Sequence, residues 1–130
     1  MNNQRLTKYT LSVKDYIKQI GHGSNSDILQ GLRVKYPKLS STTIHRITSR
    51  MVDRRELALG PNTKDNRIRL DANLSLHDHF LCSSCDRLKD IKIPLNMFNS
   101  LQKLIGDCQI DGQLIIQGTC SNCLKNKEKI

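Results

Sequence analysis

A chain of 130 residues with 4% aromatic residues and no Trp is too short and too poor in large side chains for an extensive core. It can hold one ordinary domain or two small ones, and small domains usually need a metal ion or disulfides for stability. The formal net charge of +9 is uneven, with +8 in residues 1–72 and +1 in residues 73–130. This asymmetry favours a polyanion-binding N-terminal half, although a merely soluble basic surface would show the same charge.

The sequence contains no membrane or secretion signal. No apolar run approaches the ~20 residues that cross a bilayer, and the polar start Met-Asn-Asn-Gln-Arg lacks the apolar segment of a signal peptide. We therefore expect a cytoplasmic protein with no membrane partner. Because thiols stay reduced in that compartment, the cysteines are interpreted as metal ligands before disulfides.

The basic half begins with three predicted helices. Apolar residues recur at helical spacing over Thr10–Ile20, which predicts the first helix. A second helix follows a cap at Ser24 or Ser26, and a third follows a cap at Ser40 or Ser41.

Two strands, 57–59 and 67–70, are predicted after the helices, and the segment between them is rich in turn formers. Three helices followed by a β-hairpin is the order of a winged helix-turn-helix domain. One face of the third helix carries short hydrogen-bonding side chains and cations, the set that contacts base edges and phosphates in a major groove. These candidate DNA-binding residues are Thr42, Thr43, His45, Arg46, Ser49 and Arg50. A solvated helix face is the alternative interpretation.

The second half predicts a small α/β domain. Strands are expected over 80–82, 88–93 and 113–117, and a helix over 95–105. The residues expected to face inward on this helix are Met97, Leu101, Leu104 and Ile105. The polar tail from Leu124 is expected to fray, and Cys108 is interpreted as a small buried hydrophobe.

Two Cys-x-x-Cys pairs, Cys82 with Cys85 and Cys120 with Cys123, are the most specific motif. Each pair directs two sulfurs at one centre, and two pairs complete the tetrahedral shell of four thiolates that structural zinc prefers. The 34 residues between Cys85 and Cys120 exceed the usual zinc-ribbon spacing, so the fold has to bring the pairs together. We predict one structural Zn(II) site rather than redox pairs.

A second donor set precedes the first cysteine pair. His77 and His79 alternate, so on a strand both imidazoles face the same side, and Asp90 follows on the next predicted strand. Nitrogen and oxygen donors together suit manganese, iron or zinc. Since paired surface histidines are common, these residues alone leave open whether they form a metal site or a solvated surface.

Together these motifs resemble the ferric uptake regulator family of bacterial metal-dependent repressors. The resemblance extends from Arg5 to Cys123 and is carried by residues 5–7 (Arg-Leu-Thr), 39–46 (Leu-Ser-Ser-Thr-Thr-Ile-His-Arg), 77–85 (His-Asp-His-Phe-Leu-Cys-Ser-Ser-Cys) and 118–123 (Gly-Thr-Cys-Ser-Asn-Cys). It implies an α+β protein with an N-terminal winged helix-turn-helix domain and a C-terminal α/β dimerisation domain that holds the four-cysteine zinc site. It further implies a homodimer that binds an AT-rich inverted repeat in double-stranded DNA when loaded with metal. The resemblance also implies that the protein is not an enzyme. We assign residues 1–71 to the DNA-binding domain, 72–76 to a hinge and 77–130 to the metal-binding dimerisation domain.

The resemblance also assigns the regulatory metal ligands and a minor-groove contact, the latter to Arg5. The ligand positions are His22, Asp71, His77, His79 and Asp90. Their acidic residues are Asp, as in the peroxide-responding branch, whereas the iron-uptake branch usually has Glu and the zinc-sensing branch typically has Cys at position 71. In the peroxide-responding branch, bound Fe(II) reacts with hydrogen peroxide and ligand histidines are oxidised, here expected at His77 and His22. Mn(II) in the same site should give a peroxide-insensitive repressor.

Several positions depart from the family pattern. His45 replaces the usual Tyr on the third helix and Thr10 replaces an Arg, so the base preference is expected to differ. Leu76 replaces a His often found in iron-uptake regulators, so an additional metal site is expected to be absent and Asp78 to be a solvated loop residue. His22, between two glycines, would by itself be interpreted as a flexible exposed residue.

The main prediction is therefore a metal-dependent DNA-binding repressor that senses hydrogen peroxide through Fe(II) or Mn(II). An iron or manganese uptake regulator without peroxide sensing is the alternative within the family. A metallohydrolase using His77, His79 and Asp90 with Asp78 as base is an alternative of another class. A zinc-stabilised RNA-binding or scaffold module, whose histidines bind nothing, is a further one.

Overall fold

The computed structural model describes residues 3–111 and 113–128, with the backbone alone for 3–7 and 127–128. The chain divides into two compact units, Met1–Leu74 and Ser75–Ile130. The first unit contains three helices and three short strands: α1 (Asn3–Ile20), β1 (His22–Ser24), α2 (Asn25–Leu32), α3 (Ser41–Asp53), β2 (Ala58–Leu59) and β3 (Arg69–Asp71). This order confirms the predicted fold class, and it adds a strand, β1, which the sequence analysis did not predict.

Serine caps fix the starts of α2 and α3. Ser24 Oγ accepts from Asp27 N–H at 3.2 Å while the Asp27 carboxylate accepts from Ser24 N–H at 3.0 Å, which is a complete capping box. Ser40 Oγ accepts from Thr43 N–H at 3.2 Å and starts α3. Arg33 Nε donates to Leu39 O at 3.0 Å and closes the connection between the two helices.

The core of the first unit lies among its three helices and is covered by β3. Ten apolar side chains form it: Val13, Ile17, Ile28, Leu32, Leu39, Ile44, Ile47, Met51, Leu57 and Leu70. The strands form an antiparallel sheet in the order β1-β3-β2. Helix α1 extends seven residues further toward the N-terminus than the apolar pattern predicts, beginning at Asn3.

The second unit is built around one small sheet. Its elements are β4 (Asp78–Cys82), β5 (Leu88–Ile91), α4 (Leu95–Ile105), β6 (Ile115–Gly118) and α5 (Ser121–Glu128). The sheet order is β5-β4-β6, with β5 antiparallel and β6 parallel to β4. Among the described residues of this unit, the buried apolar side chains are Leu81 and Leu88 together with the thiols of Cys82 and Cys120. Such a small core needs a further source of stability.

Four predictions about the second unit are wrong. The apolar side of α4 is not packed inward within the chain, since Met97 and Leu104 are 54% and 83% exposed. The tail does not fray from Leu124, because α5 continues to Glu128. Cys108 is exposed rather than buried. Asp78 is not a solvated loop residue, because it lies in β4 and its carboxylate accepts backbone N–H groups from Ile93 at 3.3 Å and Leu114 at 3.0 Å.

None of the described helices has both the length and the apolar character that a bilayer span requires.

Candidate metal and DNA-binding sites

The four predicted zinc ligands converge in the second unit. Parallel pairing of β4 with β6 places Cys82 beside Gly118, and this brings the second Cys-x-x-Cys pair to the first. Cys82 Sγ lies 3.8 Å from Cys123 Sγ, and Cys85 Sγ lies 3.7 Å from Cys120 Sγ. Four thiolates bound tetrahedrally at the usual Zn–S length of ~2.3 Å stand ~3.8 Å apart. The cluster therefore has the size and donor set of a structural zinc site.

The four thiols differ in how readily they lose a proton, because the pKa values of Cys82 and Cys120 are lowered and that of Cys123 is raised. The backbone N–H of Cys120 lies 3.3 Å from Cys82 Sγ and, with the N–H of Cys85, lowers the pKa of Cys82 to about 6. The N–H of Cys123 lowers the pKa of Cys120. Hydrogen bonding within the cluster, chiefly with the Cys120 side chain, raises the pKa of Cys123 to about 12. A divalent ion bound by all four thiolates would therefore have to displace the proton of Cys123.

Two imidazoles and a carboxylate form a second donor group in the same unit. The register of β4 and β5 pairs His79 directly with Asp90. His79 Nε2 lies 3.3 Å and His77 Nε2 3.5 Å from Asp90 Oδ1. Ligand atoms bound ~2.1 Å from one metal ion stand ~3.0–3.5 Å apart when adjacent in octahedral or tetrahedral geometry. The spacing of these three residues therefore fits a single ion.

Burial and hydrogen bonding orient this group. His79 is fully buried and His77 is 9% exposed, whereas Asp90 reaches the surface. His77 Nδ1 lies 2.7 Å from Ser75 O, so Nδ1 carries the proton and Nε2 keeps its lone pair for a metal. Ser75 was not predicted as part of the site, because a backbone carbonyl leaves no signal in side-chain identity.

The other two predicted regulatory ligands are neighbours in the first unit. Strand pairing of β1 with β3 sets His22 directly opposite Asp71. Directly opposed side chains of antiparallel strands point to the same face, with Cβ atoms ~4.5–5.5 Å apart. Asp71 is 1% exposed and His22 is half-buried, so His22 is held in a strand and is not the flexible exposed residue expected from its two flanking glycines.

The predicted DNA-binding residues lie on α3 of the first unit. Thr42, His45, Arg46 and Ser49 share one helix face at a spacing of three and four residues, and all are exposed. Arg50 is also exposed, whereas Thr43 is half-buried and its hydroxyl lies 3.0 Å from Ser40 Oγ at the helix cap. Arg5 lies within α1, and its side chain is outside the described part of the chain.

The segment between β2 and β3 is a structured turn that carries cations. Arg67 N–H donates to Thr63 Oγ1 at 2.9 Å, and Arg67 Nε lies 3.1 Å from the Asp65 carboxylate. Hydrogen bonds from Thr63 and Arg67 lower the pKa of Asp65. This turn is the wing of the winged-helix arrangement, and Lys64 and Arg67 are its basic residues.

Comparison with known proteins identifies relatives of both units. A sequence profile described as the Ferric uptake regulator family matches residues 1–105. Among curated proteins, none matches this chain significantly.

Solved structures with the same fold cover almost the whole chain. The Helicobacter pylori ferric uptake regulator, whose structure was described as revealing three functional metal-binding sites, is 22% identical, with a TM-score of 0.72 over 90% of this chain and 80% of that one. The Campylobacter jejuni peroxide stress regulator is 17% identical, with a TM-score of 0.70 over 94% and 93% of the two chains. A zinc uptake regulator complexed with zinc and DNA is 17% identical, with a TM-score of 0.57 over 92% and 83%. At these identities the structures establish a shared fold.

Proposed function

This chain belongs to the ferric uptake regulator family, and on that premise we propose that it is a repressor that senses hydrogen peroxide through Fe(II) or Mn(II). Family members are dimeric, metal-dependent transcription regulators that bind DNA and are not enzymes, which removes the metallohydrolase interpretation. We place the protein in the cytoplasm and expect its operator to be an AT-rich inverted repeat in double-stranded DNA.

The observation that carries the proposal is the arrangement of nitrogen and oxygen donors. His77, His79 and Asp90 are already spaced for one ion, and in the first unit His22 faces Asp71 across two strands. We assign all five residues to one regulatory site. An ion bound by ligands from both units would fix one orientation of the units, which is the requirement for a metal-controlled DNA-binding dimer.

Asp at both acidic positions, Asp71 and Asp90, supports peroxide sensing over simple iron uptake, because the iron-uptake branch usually has Glu there. All five donors are His or Asp, with no thiolate that would favour a thiophilic ion. A bound Fe(II) would supply the activation of hydrogen peroxide, so that one peroxide oxygen atom would go to a ligand imidazole and the other would leave as water. The chain's own contribution is to hold His77 Nε2 ready for the ion through the Nδ1 hydrogen bond to Ser75 O.

Mass spectrometry of the zinc-containing protein tests the site. The protein is loaded with Fe(II) without oxygen, exposed to equimolar hydrogen peroxide and digested. We expect one added oxygen atom on His77 or His22 and none on His45, which is exposed on α3 and serves as an internal control. A sample loaded with Mn(II) should remain unmodified. Loss of oxidation in Asp90→Asn but not in Asp107→Asn, an exposed carboxylate outside the site, would tie the chemistry to the proposed ligands.

The same preparation separates peroxide sensing from metal sensing alone. Selection from a randomised DNA library with the Mn(II)-loaded protein should yield an inverted repeat, and metal removal should weaken its binding by about 5- to 150-fold. Metal-dependent DNA binding without histidine oxidation would leave an iron or manganese uptake regulator. DNA binding that ignores Mn(II) and Fe(II) would refute the regulatory site.

A further inference from the structure

Three polar side chains join the start of α2 to the exposed face of α3. Thr48 is 2% exposed, and its Oγ1 lies 2.8 Å from Asn25 Oδ1. Asn25 Nδ2 lies 3.3 Å from His45 Nδ1. Asn25 therefore bridges a buried hydroxyl on α3 to the imidazole that replaces the usual aromatic residue on the same helix.

This bridge fixes which nitrogen of His45 carries the proton. Asn25 Oδ1, at 2.8 Å, is an acceptor for the Thr48 hydroxyl, as are Ile44 O at 3.0 Å and His45 O at 3.3 Å. The Asn25 amide is then oriented with its NH₂ group toward His45. His45 Nδ1 accepts from it, so neutral His45 carries its proton on Nε2.

The bridge is not explained by the capping of α2. Asn25 is the first residue of the helix, and the cap is supplied by Ser24, whose Oγ accepts from Asp27 N–H. The Asn25 side chain takes no part in that capping box. Its side-chain contacts run across to α3, where it contacts both Thr48 and His45.

A histidine with a fixed Nε2–H group can only donate a hydrogen bond to a base through that nitrogen. In the major groove, guanine N7 and O6, adenine N7 and thymine O4 accept a hydrogen bond, whereas cytosine presents only its N4 donor. His45 is exposed on the same helix face as Arg46 and Ser49, where the recognition helix of such a domain meets base edges.

We propose that His45 is a specificity-determining residue that donates through Nε2 to one base in each half-site, and that Asn25 is the positioning residue that sets this polarity. The inference rests on the proposed function, because it requires that α3 enters DNA. It predicts that one operator position excludes cytosine on the strand that His45 contacts. It assigns Asn25 a role that its sequence position alone does not suggest.

The test compares base preference at every position of the selected operator. Selection and binding measurements use the Mn(II)-loaded, zinc-containing dimer and the variants Asn25→Ala, His45→Ala, Thr48→Val and the double variant Asn25→Ala/His45→Ala. The position whose preference changes in His45→Ala is the one that His45 contacts, and wild type should reject cytosine there by about tenfold, the discrimination expected of a single good base contact. Asn25→Ala should reduce this to about twofold, because either imidazole tautomer then becomes available. Thr48→Val should act in the same direction.

Gln30→Ala is the matched control, since it removes an exposed amide from the same helix and should leave the preference unchanged. His45→Gln should shift the preference at that position to adenine, which an amide contacts with two hydrogen bonds. In the His45→Ala background, Asn25→Ala should cause no further change in preference. A purely structural role for Asn25 would instead lower affinity for all sequences equally in both backgrounds.

Two outcomes would overturn the inference. An Asn25→Ala base-preference profile identical to that of wild type would show that Asn25 does not set the contact. A wild-type preference for cytosine at the position that His45 contacts would show that His45 Nε2 is an acceptor. Both differ from failure of the proposed function, in which the wild-type protein selects no specific sequence or binds DNA without regard to metal.

Discussion

Zinc removal should unfold the second unit and leave the first unit folded. Apart from thiols, the buried apolar side chains among the described residues of the second unit are Leu81 and Leu88, each 8% exposed. Their burial contributes about 3–6 kcal/mol, less than the ~10–16 kcal/mol apparent in zinc binding by small domains. The first unit buries ten apolar side chains and places no cysteine in its core. Cys85→Ser, or a strong chelator, should therefore act on one unit alone.

Hydrogen exchange followed by mass spectrometry measures the two units separately. After zinc loss we expect the sheet amides of the second unit to exchange rapidly, including Cys82 N–H, which donates to Arg87 O at 2.9 Å. Amides of α3 should keep their protection. Cys108→Ser is the matched control, because Cys108 is exposed and outside the cluster. This variant should retain zinc and the exchange pattern of wild type.

The reasoning fails if the zinc-free protein keeps protected amides in β4 and β5 as a monomer. Such a result would mean that the small core suffices without the metal. Protection that persists only in a dimer would instead locate the missing stability in the contact between the two subunits, and dilution through the dissociation range distinguishes the two cases.

Substitutions test three further contacts. A Cβ at Gly31 would lie 2.1 Å from Cζ of Tyr16, so Gly31→Ala should lower the free energy of unfolding by about 1–3 kcal/mol, and Tyr16→Leu should recover part of the loss in thermal denaturation. Ser40→Ala removes the cap of α3 and should cost about 1 kcal/mol in stability, with a parallel loss of DNA affinity. Asp78→Asn sets an amide NH₂ against the backbone N–H of Ile93 or Leu114, so it should lower the free energy of unfolding by about 1–3 kcal/mol. It should also weaken Mn(II) binding in calorimetry. Unchanged Mn(II) affinity would show that these two hydrogen bonds do not position the metal site.

Elements with a strong local signal were predictable from the sequence. Helix α4 begins and ends where the apolar spacing of residues 95–105 predicted, and Ser24 and Ser40 proved to be caps. The convergence of the two Cys-x-x-Cys pairs also followed from the chemistry of zinc. These features depend on neighbouring residues or on ligand chemistry, both of which can be recognised in sequence.

Features set by distant contacts were not predictable. Strand β1 has the sequence His-Gly-Ser, which has low strand propensity, and it is extended because it pairs with β3. The outward apolar side of α4 has the same periodicity as a buried one, because spacing indicates which face is apolar and not what covers it. Asp78 was misjudged because its two backbone partners lie 15 and 36 residues away in sequence.

The proposed metal site and the proposed base contact both involve the junction of β1 and α2. His22, a proposed metal ligand, lies in β1, Ser24 caps α2, and Asn25 begins that helix and contacts His45 on α3. Only two residues therefore separate the metal ligand from the residue that orients the proposed base contact. A metal ion bound by His22 would act on β1, which pairs with β3 at Asp71 and continues directly into α2. This strand and helix would carry the effect toward α3. Because linkage is reciprocal, DNA that orders His45 and Asn25 would in turn favour the strand geometry that presents His22 to the metal.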